Sequence, residues 1–299
     1  MKKLFIIGNG FDLASGIATS YKEFYQYLKK HNEKIFNITC KFFLGQFNAN
    51  DMLWYNFEES LSGFDYNCFT SQFEYSNNQL FQELDSTKNK IEILCAEWKN
   101  RLDDEFKSWL FEEMNKFESN KATKQTKDVF LNFNYTDSLQ KLYGIPNNKI
   151  VYIHNNINDD KLLYGHGVKF NFEEMLEHYE LVNDGCVNIA DPKVLEVWVQ
   201  YVLGDSLRKK VEAIIDNNKD FESKLVNVKK IIVLGHSLGD VDVPYFNWIN
   251  QNLPRAKWII GYYKKSNITL LKNKIKKIGL KNFKLKKTKN LLKKYFKRG

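Results

Sequence analysis

Three short apolar runs each end in a cluster of small or polar residues, and this repeated transition organises the chain. Leu4-Phe5-Ile6-Ile7 runs into Gly8-Asn9-Gly10-Phe11-Asp12, and Val129-Phe130-Leu131 runs into Asn132-Phe133-Asn134-Tyr135-Thr136-Asp137-Ser138. Ile231-Ile232-Val233-Leu234 runs into Gly235-His236-Ser237-Leu238-Gly239-Asp240. Continuous apolar runs of this length, rich in β-branched and aromatic residues and followed by helix-compatible sequence, predict buried parallel strands. Val151-Tyr152-Ile153-His154 and Trp258 to Tyr263 predict two further strands, and Phe283 with Leu285 a short alternating one. The fold class expected is α/β, a Rossmann-like parallel sheet. Ligands of such sheets sit beyond the carboxyl ends of the strands, so the polar clusters are expected to meet over one crevice.

Between the first and second strands the apolar spacing changes from strand-like to helical. Tyr21-Phe24-Tyr25-Leu28, then Trp54-Phe57-Leu61, then Leu80 through Ile91, Leu94, Trp98, Leu102, Phe106, Trp109 and Leu110 mark residues 22–120 as a large helical insertion or cap. Glu58 and Glu59 read there as exposed helix residues, with Glu58 lining the cleft as the alternative. A second helical stretch is expected over about 172–228. Ile268, Leu271, Ile275 and Ile278 form a helical stripe, so residues 264–299 read as a last αβ unit. Proline occurs only at 146, 192, 244 and 254, with no Gly/Ser tract and no internal repeat. Residues 1–299 therefore read as a single domain interrupted by its insertion.

Composition narrows the class. With 299 residues, 43% of them hydrophobic, the chain can bury a sizeable core. No run approaches the ~18 apolar residues of a membrane helix, and the first residues lead into a strand and glycine turn, so no membrane partner and a cytoplasmic location are expected. Cys40, Cys68, Cys95 and Cys186 are isolated, which suits reduced, buried thiols and supplies no Cys-x-x-Cys zinc site. The net charge is +9, but residues 264–299 hold fifteen Lys or Arg and no acid, leaving −6 on residues 1–263. Only four of the 45 basic residues are Arg. A lysine surplus without Arg's planar fork favours a solvated face over a specific nucleic-acid reader.

The candidate chemistry lies in the strand-end clusters. Glycines at 8 and 10 let a backbone approach a ligand closely, and the free N–H groups of such a turn favour an anion. The dinucleotide fingerprint would want a third glycine where Leu13 stands, so an ordinary strand-to-helix turn remains the alternative. Asn134 can donate and accept at a strand end, and His154 can take a proton near neutral pH. His166, between two glycines, is the rival histidine. Gly235, His236 and Ser237 suit pyrophosphate or ribose contacts, whereas Asp240 and Asp242 read equally as caps of a helix starting near Val243. Asp12 reads as a helix cap or as a ribose-side group, since a carboxylate would repel phosphate.

Gly8-Asn9-Gly10-Phe11-Asp12 through Ser15-Gly16-Ile17-Ala18-Thr19-Ser20-Tyr21, Asn132-Phe133-Asn134-Tyr135-Thr136, Tyr152-Ile153-His154 and Gly235-His236-Ser237-Leu238-Gly239-Asp240 together resemble the AbiH family of bacteriophage abortive-infection proteins. The resemblance spans nearly the whole chain in order. A more distant likeness to sirtuin-like domains falls on Gly8, Gly10, Ser15, Gly16, Ile17, Asn134, His154, Gly235 and Ser237. It implies a sirtuin-like fold that takes NAD as substrate, with Asn134 and His154 as catalytic residues. Gly8, Asn9, Gly10, Phe11, Asp12, Ser15, His166, Gly235, His236, Ser237 and Asp240 would then hold the nucleotide, with no metal. The implied reaction is hydrolysis of NAD to nicotinamide and ADP-ribose in phage defence. A phage-derived trigger and a homo-oligomer are the further partners it leaves open. Asp12, Ala18, Tyr21, Thr136 and Asn155 depart from the sirtuin pattern. The competing readings are a non-catalytic nucleotide sensor or interaction module, and a nucleic-acid-directed toxin using the basic C-terminus.

Overall fold

The computed structural model describes residues 1–44, 57–63, 84–119, 123–183, 186–187 and 191–296. Trp54, Cys68 and Leu80, used above, lie outside the described residues. The chain divides into two compact units, Met1–Ser20 with Lys107–Leu163 and Lys210–Gly299, and Tyr21–Phe106 with Tyr164–Lys209.

The first unit is built on β1 (Lys2–Ile7), β2 (Val129–Asn132) and β3 (Ile150–Tyr152). With β4 (Val182–Asn183) and β5 (Cys186–Val187) reserved for the other unit, its sheet continues with β6 (Val228–Leu234), β7 (Lys257–Tyr262) and β8 (Phe283–Lys287). All pairings in this six-stranded sheet are parallel, in the order β3-β2-β1-β6-β7-β8. The chain runs outward from β1 to β3, returns, and runs outward the other way from β6 to β8. The direction of winding therefore reverses between β1 and β6, which is the switch point of a doubly wound sheet. The expected α/β, Rossmann-like parallel sheet is what the chain forms.

Side-chain alternation along the strands supplies two buried faces. Leu4, Ile6, Leu131, Ile231, Val233, Trp258 and Ile260 enter one core. That core is closed by Tyr245, Phe246 and Ile249 of one helix and by Leu271, Ile275 and Ile278 of another. On the opposite face Phe5 stacks on Phe130 at 5.1 Å and meets Phe296 edge-on at 5.5 Å. Residues 264–299 thus contribute a helix to one face, an edge strand, and through Phe296 an aromatic ring to the other. The three exposed lysines of β8, Lys284, Lys286 and Lys287, discourage pairing along this open edge.

The α-helices among the described residues are, in chain order, α1 (Asn9–Ala14), α2 (Tyr21–His31), α3 (Glu33–Leu44), α4 (Phe57–Ser60), α5 (Leu84–Asn115), α6 (Ser138–Tyr143), α7 (Phe172–His178), α8 (Pro192–Ser206), α9 (Val211–Asn217), α10 (Phe221–Leu225), α11 (Val243–Asn252), α12 (Ile268–Ile278) and α13 (Thr288–Tyr295). The second unit packs Phe24 and Phe57 with Phe106 and Tyr164 in one aromatic cluster. The stretch expected to be helical over 172–228 is interrupted by the β4–β5 hairpin. Its helices start as their sequences dictate, Asn171 capping α7 and Asp191, followed by Pro192, capping α8. No helix among the described residues is long and apolar enough to cross a membrane. Cys40 and Cys95 are buried as expected for inert thiols, but Cys186, in the hairpin, is exposed.

Candidate active site

The first-unit site begins where β1 and β6 end. Gly8 N–H donates to the Leu234 carbonyl at 2.9 Å, and Gly10 N–H donates to the Gly235 carbonyl at 2.8 Å. A β-carbon at Gly8 would fall 2.7 Å from His236 Cα, and one at Gly10 2.9 Å from Gly235 Cα. The glycines therefore let two strand-end loops lie backbone against backbone, and their amides are spent on that junction. The expectation that these two N–H groups face a phosphate needs correction, because both are already satisfied within the chain. The loop is fixed further by Asn9, whose side chain exchanges two hydrogen bonds of 2.7 Å with Thr19, and by the Tyr263 hydroxyl, which donates to the Gly10 carbonyl.

Phe11 and Asp12 also turn inward. Phe11 is fully buried against Tyr143 and Phe296, a core position rather than a ligand contact. Asp12 lies inside α1 and does not cap it, the cap position being Gly8. Its carboxylate has no exposure and accepts hydrogen bonds from Thr136 Oγ1 at 2.5 Å and Ser138 Oγ at 2.6 Å. Burial pushes its pKa up to about 6, against the opposing pull of the Ser138, Thr136 and Asn134 side chains. Ser15 shares a 2.7 Å hydrogen bond with the Tyr143 hydroxyl.

Beyond β2 the chain folds around Asn132. Its Oδ1 accepts from Asn134 N–H at 3.1 Å, and its Nδ2 reaches the Thr136 carbonyl at 3.4 Å. Asn134 is 4% exposed, yet neither its amide oxygen nor its nitrogen makes a hydrogen bond of normal geometry among the described residues. The amide still lies close enough to Asp12 to favour its ionised form. Burying an amide in this state costs roughly 1–3 kcal/mol, which calls for a missing partner.

His154 follows β3, in a turn rather than in the strand expected for Val151 to His154. Asn132 pairs with Tyr152 across the parallel ladder, so residues 134 and 154 leave neighbouring strands in step. Phe133 meets the His154 ring edge-on at 5.3 Å, and Tyr135 stacks over it at 6.1 Å. The two aromatic neighbours of Asn134 thus flank His154, which is 3% exposed. Asn155 takes φ 61°, a left-handed conformation that Asn tolerates.

In the β6 loop, His236 Nδ1 accepts from Leu238 N–H at 2.9 Å, its Nε2 lies 3.5 Å from Asp242 Oδ2, and its ring packs on Phe133 at 4.5 Å. His236 thus builds the loop, and Asp242 faces it from the N-cap position of α11, where its side chain makes no capping hydrogen bond. Ser237 is exposed, with its carbonyl accepting from Lys274 at 3.2 Å. Asp240 is exposed and pairs with Lys277 at 3.1 Å.

His166 and Glu58 belong to the second unit. His166 Nδ1 accepts from Val168 N–H at 3.1 Å, which places its proton on Nε2, and burial lowers its pKa. A β-carbon at Gly165 would fall 2.0 Å from the Leu207 carbonyl oxygen, so this glycine serves the close approach of residues 207–209 rather than a ligand. Glu58 is not the exposed helix residue expected. Its Oε2 pairs with buried Lys209 at 2.6 Å and its Oε1 accepts from the Tyr21 hydroxyl. Burial works to raise its pKa, but the charge and hydrogen bond of Lys209, with Tyr21, hold it below the ordinary value. Side-chain placement of Glu59 is outside what the structure describes.

The partners missed in the sequence are Thr136 and Ser138 for Asp12, Thr19 for Asn9, Tyr143 for Ser15 and Lys209 for Glu58. Only the first two carried a signal, as hydroxyls alternating at a strand end. Among the described residues no group of three or more His, Cys, Asp or Glu is placed to hold a metal ion. The family model described as bacteriophage abortive infection AbiH matches residues 4–263. No curated protein and no solved structure matches the chain.

Proposed function

The chain belongs to the bacteriophage abortive infection AbiH family and so has a role in phage abortive infection, and we propose that it acts there by hydrolysing NAD to nicotinamide and ADP-ribose. The observation that supports this reading is Asn134, a buried amide whose oxygen and nitrogen make no hydrogen bond of normal geometry among the described residues, at a strand end near the switch point of a Rossmann-like sheet. A ribose hydroxyl and an attacking water are partners such an amide can hold together.

The reaction asks little of the protein. The C–N bond between ribose and nicotinamide breaks with its electron pair leaving on nitrogen, so a cationic ring departs as neutral nicotinamide. Water adds to the anomeric carbon and loses a proton. Asn134 orients that water, and His154, flanked by the neighbours of Asn134, accepts the proton. Because the Gly8 and Gly10 amides are satisfied internally, phosphate contacts fall to the exposed parts of the β6 loop, such as Ser237.

That same saturation favours a second reading, a nucleotide sensor or interaction module without turnover. The experiment that separates them is nicotinamide release from NAD by purified protein, alone and with phage lysate. Turnover that disappears in Asn134→Ala supports hydrolysis; binding of ADP-ribose without turnover supports the sensor.

A further inference from the structure

We propose that Asp12 is a positioning residue for Asn134, holding the β2–α6 loop in the shape that presents the Asn134 amide to its ligand. The inference rests on the reading of Asn134 given above. Three links connect the two residues. Asp12 grips the loop on the far side of Asn134 through Thr136 and Ser138, with both carboxylate oxygens engaged at 2.5 and 2.6 Å. Asn132 grips it on the near side through Asn134 N–H and the Thr136 carbonyl. The Asn134 amide lies between these anchors, beside the carboxylate that it helps keep ionised.

The chemistry of the anchor also argues for function over packing. A carboxylate with no exposure and no cation beside it among the described residues is a costly way to join two hydroxyls, and a neutral side chain would join them with less desolvation. Groups that weaken the fold in this way concentrate at functional sites. Protonation turns one acceptor oxygen into a donor, so the bond from Thr136 or Ser138 must reverse direction and loses its charge assistance, which weakens the hold on the loop around Asn134. The other titratable groups that feel Asp12 are Asp137, on the same loop, and the Tyr152 phenol on β3, pushed well above its ordinary value by burial and so neutral throughout the relevant range.

The test compares Asp12→Asn, Ser138→Ala, Asn134→Ala and the double variant Asp12→Asn/Asn134→Ala in the full chain, reading phage protection in cells and NAD turnover in vitro. Asp12→Asn is expected to lower turnover by about 10- to 100-fold, the scale of a misplaced reacting group. Ser138→Ala should fall in the same direction, and the double variant should be no worse than Asn134→Ala. Because His154 also accepts a proton in the reaction, the readout is the ratio of wild-type to Asp12→Asn activity, which should fall as pH drops through about 6, the value to which Asp12 is raised. Additive losses in the double variant, or full activity of Asp12→Asn, would overturn the proposal. If wild-type protein turns over no NAD, the hydrolase reading fails, while protection that is lost in Asp12→Asn and no further in the double variant still upholds the positioning role.

Discussion

The backbone nitrogen of Gly10 donates to the carbonyl of Gly235 at 2.8 Å, joining the loops that follow β1 and β6 into one hydrogen-bonded unit at the switch point. Gly235 has φ 69°, and a β-carbon there would lie 2.1 Å from Phe11 N. Gly235→Ala should therefore combine left-handed strain with overpacking and cost roughly 4 kcal/mol or more. Gly16 also has positive φ, but open space surrounds its missing β-carbon, so Gly16→Ala should cost only about 1–2 kcal/mol. Denaturant unfolding of the two variants checks the contrast; equal losses would remove the loop junction from the account.

Asp12 gives a pH signature in stability as well as in activity. Its folded pKa of about 6 lies above the ordinary value of 3.8, so between these values the folded chain binds the extra proton. The stability associated with protonated Asp12 is fully present below about 3.8 and is lost as pH rises through about 6. Asp12→Asn lacks this loss. Its melting temperature relative to wild type should climb from pH 4 to pH 6 and then level off, as followed by calorimetry. A difference that does not change with pH would show that Asp12 is not titrating from a buried state.

The Glu58–Lys209 pair makes a prediction confined to the second unit. Lys209→Met removes the cation paired with the Glu58 carboxylate, 23% exposed, leaving it beside Tyr21 and Gly165 N–H, and should destabilise by about 3 kcal/mol. Lys209→Met/Glu58→Met should recover much of that loss. Because Glu58 is held below its ordinary pKa, its contribution is present above about pH 4.5 and vanishes as pH falls through the folded value. Thermal unfolding of the single and double variants reads both effects.

Truncation after Tyr263 should not leave a foldable chain. It removes the partner of β7, the helix that closes one face with Leu271, Ile275 and Ile278, and Phe296, which packs on Phe5 and Phe11. Each large side chain stripped from the core forfeits about 1.5–3 kcal/mol. Insoluble or non-cooperatively melting protein is expected; a soluble truncation with a sharp melt would make residues 264–299 a separable arm.

The sheet was legible because its strands are continuous apolar runs, and parallel strands buried on both faces require such runs. The strand-end clusters were legible because polarity returns where each apolar run ends, although Asp12, Asn134, Thr136, Ser138 and His154 stay buried. What each polar residue does there was not legible. Gly8 and Gly10 look alike whether a phosphate or a second loop approaches them, and only the pairing of Gly10 with Gly235 distinguishes the two. Glu58 sits beside Phe57 on an apparently amphipathic helix, but its counter-ion is 151 residues away at Lys209, beyond the reach of periodicity. Asp12 resembles a cap in sequence, since helix starts attract acids, until Thr136 and Ser138 are seen to claim both its oxygens.

The central claim is that Asn134 and His154 serve one hydrolytic site. Nicotinamide release from NAD should be measured by chromatography for wild type, Asn134→Ala, His154→Ala and His166→Ala, each checked for an unchanged melting temperature. The account predicts release by wild type and His166→Ala, and a loss of about 10²–10⁴-fold in Asn134→Ala and His154→Ala. Undiminished release from His154→Ala together with loss in His166→Ala, or no release from any of the four, would contradict it.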